Sequence, residues 1–410
     1  MKVGLVVEDA APTDGGGYTF IRELLAALLP LQGSIEHEFI VCHRNGSRIA
    51  AELACGSAVV DLDRQRSTVM TLDEQMLGLL PGRLRRKAAR FRRWSGSPRW
   101  DERVYLREGI EFLLRLAPYG DVTKDIPYGV TLWDLQHRLN PWFPEVSSVG
   151  QWEAREAAAS DLLRRAGIIY VGTQEGRRQI EYYYQIPSER IEVLPSPAPE
   201  FALAAAETHP DPGMVQKLGI ENEYLFYPAQ FWPHKNHILV LEACRLIRSQ
   251  TDWDLAVVFS GSDKGNLRYV RDYAQRLGLG QRVMFPGFVD EQQLIQLYKN
   301  AVCLVYPTFC GPEGLPPMEA FALGCPVVAS AVPGAAEQLG NAAILHSADD
   351  ERALADAVLS LRVAGVRNGL VVAGRRHAAR ARWDDYAKGI IASLDKFARI
   401  RRCWGVTVPG

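Results

Sequence analysis

The sequence predicts an α/β chain of two domains, each a parallel sheet wrapped by helices. Three observations carry this. Short apolar runs alternate with helix-like segments through the second half, and a strand, a glycine loop and a helix open the first half in the same order. The length of 410 residues also exceeds what one hydrophobic core organises, about 150 residues being usual for a domain. Hydrophobic residues at 47% supply core enough for both.

In chain order, residues 3–7 form the first strand, Thr13-Asp14-Gly15-Gly16-Gly17 the loop after it and residues 18–29 the first helix. The runs 38–42, 130–133 and 168–171 extend the same sheet, which makes residues 1–200 the first domain. Pro195-Ser196-Pro197-Ala198-Pro199 is too proline-rich for either kind of element, so the interdomain linker is placed over 195–212. In the second domain, 213–385, the runs 224–227, 255–259, 282–285, 302–306, 327–329 and 342–345 read as strands. Segments such as 267–277 and 291–298 carry apolar residues at helical spacing between them. Residues 386–410 are a tail expected to pack back on the first domain.

Composition narrows the function. A formal net charge of -1 gives no global reason to expect nucleic acid as a partner. Seven scattered cysteines without a C-x-x-C pair suit a reducing, cytoplasmic setting. The apolar run 3–7 meets Glu8 and Asp9 at once, too short for a signal peptide, and no run reaches the 18 or so apolar residues of a membrane span. One stretch stands out electrically: 83–103 holds nine basic residues (Arg83, Arg85, Arg86, Lys87, Arg90, Arg92, Arg93, Arg99, Arg103) against Asp101 and Glu102. With Leu84, Ala88, Phe91 and Trp94 near one helical face, it is a candidate surface for anionic lipid at the inner face of the plasma membrane, or equally a solvated arginine-rich segment.

The chemistry concentrates in two loops. Gly311-Pro312-Glu313-Gly314-Leu315-Pro316-Pro317-Met318-Glu319-Ala320 follows one strand and opens the helix leading to the next. Gly311 and Gly314 let backbone N–H groups approach a phosphate, and the prolines suit the first turn of a helix whose N-terminus attracts anions. Glu319 falls one turn inside that helix. The second loop, Tyr227 through His237, places Lys235 at a helix start, where it can neutralise the charge growing on a diphosphate leaving group. His234 and His237 argue only weakly for a metal, because Lys235 lies between them. The glycines Gly15, Gly16 and Gly17 lack dinucleotide spacing, and serve equally as a flexible connection or as a place where a phosphate or sugar meets backbone. No G-x-S-x-G, H-E-x-x-H or Walker sequence occurs.

These residues resemble the retaining glycosyltransferases of family 4, the glycosyl transferases group 1 of bacterial surface-polysaccharide synthesis. The resemblance is most specific from Pro307 to Val327, next in His234-Lys235-Asn236-His237, with support at Trp133-Asp134-Leu135-Gln136-His137-Arg138, Gly172-Thr173 and Gly261 to Asn266. It implies the GT-B fold, two facing Rossmann-like domains with a cleft between, in which the C-terminal domain binds a nucleotide sugar. Lys235 would contact the diphosphate and Glu319 the ribose hydroxyls, with Gln230, Lys264, Gly311, Pro312, Gly314 and Leu315 around the donor. The N-terminal domain would bind the acceptor, a glycan or lipid-linked saccharide, near Gly15, Gly16, Gly17, Trp133, Asp134 and His137.

Three departures from the family pattern matter. Family members commonly pair two glutamates separated by seven residues, and here Gly311 stands where the first belongs, with Glu313 two positions on as a possible substitute. Gln230 replaces a common arginine. Trp133-Asp134 replaces a His-Asp pair, which leaves His137 as the nearest imidazole. The resemblance implies hexosyl transfer from a nucleoside diphosphate to a hydroxyl with retention, by front-face attack, with no protein nucleophile, cofactor or metal. A nucleotide-sugar epimerase or phosphorolytic enzyme on the same architecture is the enzyme alternative, and the missing arginine and displaced glutamate leave a non-catalytic sugar-nucleotide sensor as the other.

Overall fold

The computed structural model describes residues 1–7, 11–44, 47–53, 56–69, 99–118, 120, 122–311 and 313–405. Its first sheet has seven strands: β1 (Lys2–Val7), β2 (Glu38–His43), β3 (Ala58–Asp61), β4 (Phe112–Arg115), β5 (Tyr128–Thr131), β6 (Ile168–Val171) and β7 (Ile191–Val193). They lie in the order β3-β2-β1-β4-β5-β6-β7, every pair parallel. The second sheet has six: β8 (Tyr224–Pro228), β9 (Ala256–Ser260), β10 (Val283–Gly287), β11 (Cys303–Tyr306), β12 (Val327–Ser330) and β13 (Ala343–His346). Their order is β10-β9-β8-β11-β12-β13, again all parallel.

Strands covered on both faces need apolar side chains on both, which is why β4, β6, β11 and β12 are continuous rather than alternating runs and are buried throughout. In each sheet the order of connection reverses once, between β1 and β4 and between β8 and β11. Loops leaving neighbouring strands diverge at such a point and leave a crevice at the strands' C-terminal ends. The loops before Gly15, before Lys235 and before Leu315 leave β1, β8 and β11, so the reversals place all three at these crevices.

The boundaries differ from expectation in instructive ways. The first helix spans Gly16–Leu28, starting inside the glycine loop, because Gly15 takes φ +75° and needs no side chain to begin it. The strand expected at 130–133 is Tyr128–Thr131, so Trp133 and Asp134 lie beyond its end. The linker is not all spacer: Pro199 precedes a short helix, Glu200–Ala204, and Ala198, Ala202 and Ala205 are buried in the second domain's core. Five residues are too few to show helical periodicity.

The last helix, Trp383–Arg401, begins ahead of the expected boundary at 385. Its buried face, with Trp383, Tyr386, Ala387, Ile390 and Leu394, joins the core of the first domain. Phe20 of the first helix meets Trp383 and Tyr386 edge-on at 5.4 and 5.7 Å, and the Tyr170 and Ser393 hydroxyls share a hydrogen bond of 2.5 Å. The chain therefore crosses between domains twice. The stretch 83–98, most of the basic segment, and the tail residues 406–410 lie outside the described residues.

Candidate active site

The second domain's side of the cleft is built at the β8/β11 reversal. After β8 the chain makes a single 3-10 turn, Pro233–Lys235, closed by Asn236 in the left-handed conformation at φ +56°. Only then does the helix His237–Gln250 begin. Lys235 thus precedes the helix rather than starting it. The Tyr227 hydroxyl donates to the Lys235 carbonyl at 2.8 Å, and the Asn236 amide donates to the Pro307 and Ala348 carbonyls at 3.2 and 2.8 Å. So fixed, the half-buried Lys235 ammonium stands 5.5 Å above the Tyr306 ring at the end of β11, where the neighbouring loop departs. Tyr227 and Tyr306 thereby aim one charge into the crevice.

That neighbouring loop runs from Pro307 to Gly314. The Thr308 hydroxyl donates to the Cys310 carbonyl at 2.7 Å, and Gly311 turns the chain at φ +77°. A Cβ on Gly314 would stand 2.3 Å from the Tyr306 hydroxyl, so only glycine fits there. The helix Leu315–Leu323 follows with Gly314 as its cap and Pro316 and Pro317 in its first turn. Its N-terminus carries no side-chain cap and no acidic residue in the first turn, leaving the positive end of its dipole for an anion.

Glu319 lies within this helix, 7% exposed, and accepts the Tyr298 hydroxyl at 2.7 Å. Burial pushes its carboxyl up to about 7, against the Tyr298 hydrogen bond, which lowers it. His234 and His237 do not form a pair. Nδ1 of His234 meets Glu145 of the first domain, while His237 stacks on Phe231 at 4.5 Å and is driven down to about 3 by burial.

Several residues bridge the cleft. Glu313 reaches over to accept the Gly172 N–H at 3.0 Å and the Thr173 hydroxyl at 3.5 Å, and a Cβ on Gly172 would stand 2.2 Å from its carboxylate. Beside it, Glu337 accepts the Gln174 and Glu175 N–H groups at 2.5 and 3.2 Å. Two carboxylates of the second domain thus cap the helix Gln174–Tyr184 of the first. Glu145 Oε1 accepts from His234 Nδ1 at 2.5 Å and its backbone N–H at 3.2 Å, the two side chains being 5% and 11% exposed. Gln230 donates to the Thr13 carbonyl at 2.8 Å while accepting from Trp232, and Leu315 is buried in the first domain's core.

Between these bridges lies a cavity of about 190 Å³. The first domain contributes Trp133, Asp134, Gln136, Asn140 and Gln179, and the second Phe309, Cys310, Gly311 and Glu313. Trp133 is held edge-on to Phe20 at 6.0 Å, and a Cβ on Gly17 would come within 3.0 Å of it.

Burial pushes the Glu313 carboxyl up to about 8, helped by the charge of Asp134 and opposed by the Gly172 N–H. An ordinary glutamate titrates near 4.5, so between about 4.5 and 8 the folded chain holds a proton that the unfolded chain releases. Stability contributed by this group is complete below the lower value and is lost as pH rises through the upper one. The melting temperature of the wild type should therefore fall relative to Glu313→Gln between about pH 5 and about pH 8.5. A difference that stays constant across that range would show that Glu313 is not held protonated.

The sequence-selected residues are thus gathered unevenly. Lys235, Gly311, Gly314 and Glu319 cluster at the β8/β11 crevice, and Lys264 lies next to it, 5.9 Å from the Trp232 ring. Gly15 and Gly16 face it closely, with Cβ positions 3.7 Å from Gln230 and 4.0 Å from Leu315, while a Cβ on Gly17 would meet Trp133 of its own domain at 3.0 Å. Pro312 lies outside the described residues. His137 is elsewhere: it is buried against Glu156 at 3.1 Å and edge-on to Trp152, with Tyr184 near, and it does not line the cavity. It sits on the short helix Gln136–Leu139, which begins two residues after Asp134. Glu145, Tyr298 and Glu337 escaped sequence reasoning, since no motif holds them and their partners lie far along the chain.

Residues 214–362 match the family described as glycosyl transferases group 1. A D-inositol 3-phosphate glycosyltransferase of Corynebacterium glutamicum is 26% identical over 223 residues, 52% of this chain and 53% of its own. The O-antigen chain mannosyltransferase RfbU of Salmonella typhimurium is 33% identical over 157 residues, 36% of this chain and 40% of its own. The matched stretch thus spans about half or less of these curated relatives. In fold, the chain is similar to Anabaena Alr3699/HepE in complex with UDP and glucose, with a TM-score of 0.67 at 16% identity over 97% of this chain and 100% of that one. The two parallel sheets and their facing arrangement are those of a GT-B fold.

Proposed function

We propose that the chain, whose residues 214–362 match the family described as glycosyl transferases group 1, moves a hexosyl group from a nucleoside diphosphate to a hydroxyl of a saccharide acceptor, with retention at the anomeric carbon. The observation that carries this reading is the meeting of Lys235 with the uncapped N-terminus of Leu315–Leu323 at one sheet reversal. A leaving diphosphate needs such a pair, a point charge and a helix dipole, both fixed before reaction.

As the bond from the anomeric carbon to phosphate breaks, charge collects on the diphosphate against Lys235 and the backbone N–H groups. The acceptor hydroxyl attacks from the same face, a new carbon–oxygen bond forms, and its proton passes to a phosphate oxygen. No side chain becomes covalently attached. Lys235, helped by the helix, carries the diphosphate charge without a metal. The relatives named as a mannosyltransferase and an inositol phosphate glycosyltransferase, and the Anabaena protein holding UDP and glucose, support sugar transfer from a nucleotide.

Product analysis tests this. Purified protein incubated with UDP-glucose or GDP-mannose and a set of saccharides should release nucleoside diphosphate together with a new glycoside of the donor's anomeric configuration. An isomerised nucleotide sugar formed without acceptor would identify an epimerase instead. Donor binding with no turnover against any saccharide would identify a sensor.

A further inference from the structure

The acceptor side of the cleft has a chemical bias. Among the described residues, those lining the cavity include no lysine or arginine. Its ionisable walls are Asp134 and Glu313, and its other polar side chains include the amides of Gln136, Asn140 and Gln179. Gln136 is 6% exposed, and its Nε2 has no hydrogen-bond partner among the described residues, a buried donor suited to a ligand oxygen.

An anionic acceptor would need a cation or a helix N-terminus here. One N-terminus is at hand, that of Gln174–Tyr184, beside cavity residues Thr173, Gly176 and Gln179. It is already filled. Glu313 takes the Gly172 N–H and Thr173 hydroxyl, and Glu337 takes the N–H groups of Gln174 and Glu175. The Gly176 N–H is taken in turn by Thr173 Oγ1 at 3.0 Å. Nothing in that turn is left for a phosphate.

We propose that the acceptor is a neutral, hydroxyl-rich saccharide unit, and that Glu313 and Glu337 determine this by occupying the anion-binding end of Gln174–Tyr184 from the opposite domain. The inference rests on the transferase reading and names its acceptor class. Exclusion works first by occupancy, and Asp134 adds an unfavourable charge for any phosphate or uronate that enters. Amides and a carboxylate, by contrast, satisfy hydroxyls from both sides, as donors and as acceptors.

The test compares acceptors that differ only in charge: methyl α-mannoside against its 6-phosphate, and methyl α-glucoside against methyl α-glucuronide. The wild type should favour the neutral member of each pair by tenfold or more in kcat/KM. Glu337→Lys should narrow that preference at least threefold, with Glu337→Gln intermediate and nucleotide affinity unchanged by calorimetry; Glu337 is exposed, so thermal melts should confirm that both variants fold. Equal or better transfer to the charged member, or an undiminished preference in Glu337→Lys, would overturn the inference while leaving transfer itself intact. Absence of transfer to every saccharide despite donor binding would remove the transferase reading, and this inference with it.

Discussion

Lys235→Ala should lower turnover about a hundredfold while leaving the melting temperature nearly unchanged, a loss of roughly 3 kcal/mol of transition-state stabilisation. The size follows from what the ammonium faces. It is half-buried above Tyr306 and has no carboxylate partner within ion-pair distance among the described residues, so its charge is not already spent. It also belongs to a turn fixed through the Tyr227 and Asn236 side chains and not through its own, so truncation should leave the loop in place. Ground-state affinity for the nucleotide should fall less than turnover, because the diphosphate gains most of its charge as the glycosyl bond breaks. Gln230 cannot compensate: its amide is committed to Thr13 and Trp232. Turnover retained within about threefold in steady-state assays would remove Lys235 from the mechanism.

What the sequence made legible is what local geometry demands. Gly314 is required by the Tyr306 hydroxyl and Gly311 by a positive φ, and both stand inside a contiguous motif. Lys235 was readable for the same reason, though Asn236 moves it out of the helix into the turn before it. β7 has three residues, too few to show a pattern, whereas β6 and β11, of four, were legible as continuous apolar runs. Contacts that join the domains were hidden more thoroughly. Glu145 meets His234, and Glu337 meets Gln174, only because two sheets take one mutual orientation, and no spacing along the chain encodes that. His137 is a different case. It was singled out as the nearest imidazole to Trp133-Asp134, and on a one-turn helix its ring meets Glu156.

Glu319→Ala should weaken a bare nucleoside diphosphate by about ten- to a hundredfold, the roughly 1.5 to 3 kcal/mol of a carboxylate accepting from a hydroxyl. Glu313→Ala should spare that affinity and lower turnover or alter the preference among sugars, since Glu313 turns to Gly172 across the cleft, away from the Tyr298 and Glu319 pair. Two features of the site sharpen the test. Glu319 is buried in the helix that opens beneath the proposed diphosphate site, and its one side-chain partner among the described residues, the Tyr298 hydroxyl at 2.7 Å, leaves a carboxylate able to accept further hydrogen bonds. Burial also pushes its carboxyl up to about 7, and the ionised form is the better acceptor for a ribose diol. Nucleotide affinity in the wild type should therefore rise as pH passes upward through about 7. Tyr298→Phe removes the hydrogen bond that lowers this value, so the rise should move to higher pH, whereas in Glu319→Ala it should vanish. Calorimetry with the bare nucleotide at several pH values, beside turnover with the full donor, reads all of these variants. If Glu313→Ala weakens the bare nucleotide while Glu319→Ala does not, the two glutamates exchange roles, and the carboxylate bridging to Gly172 is the one that swings back to hold the ribose.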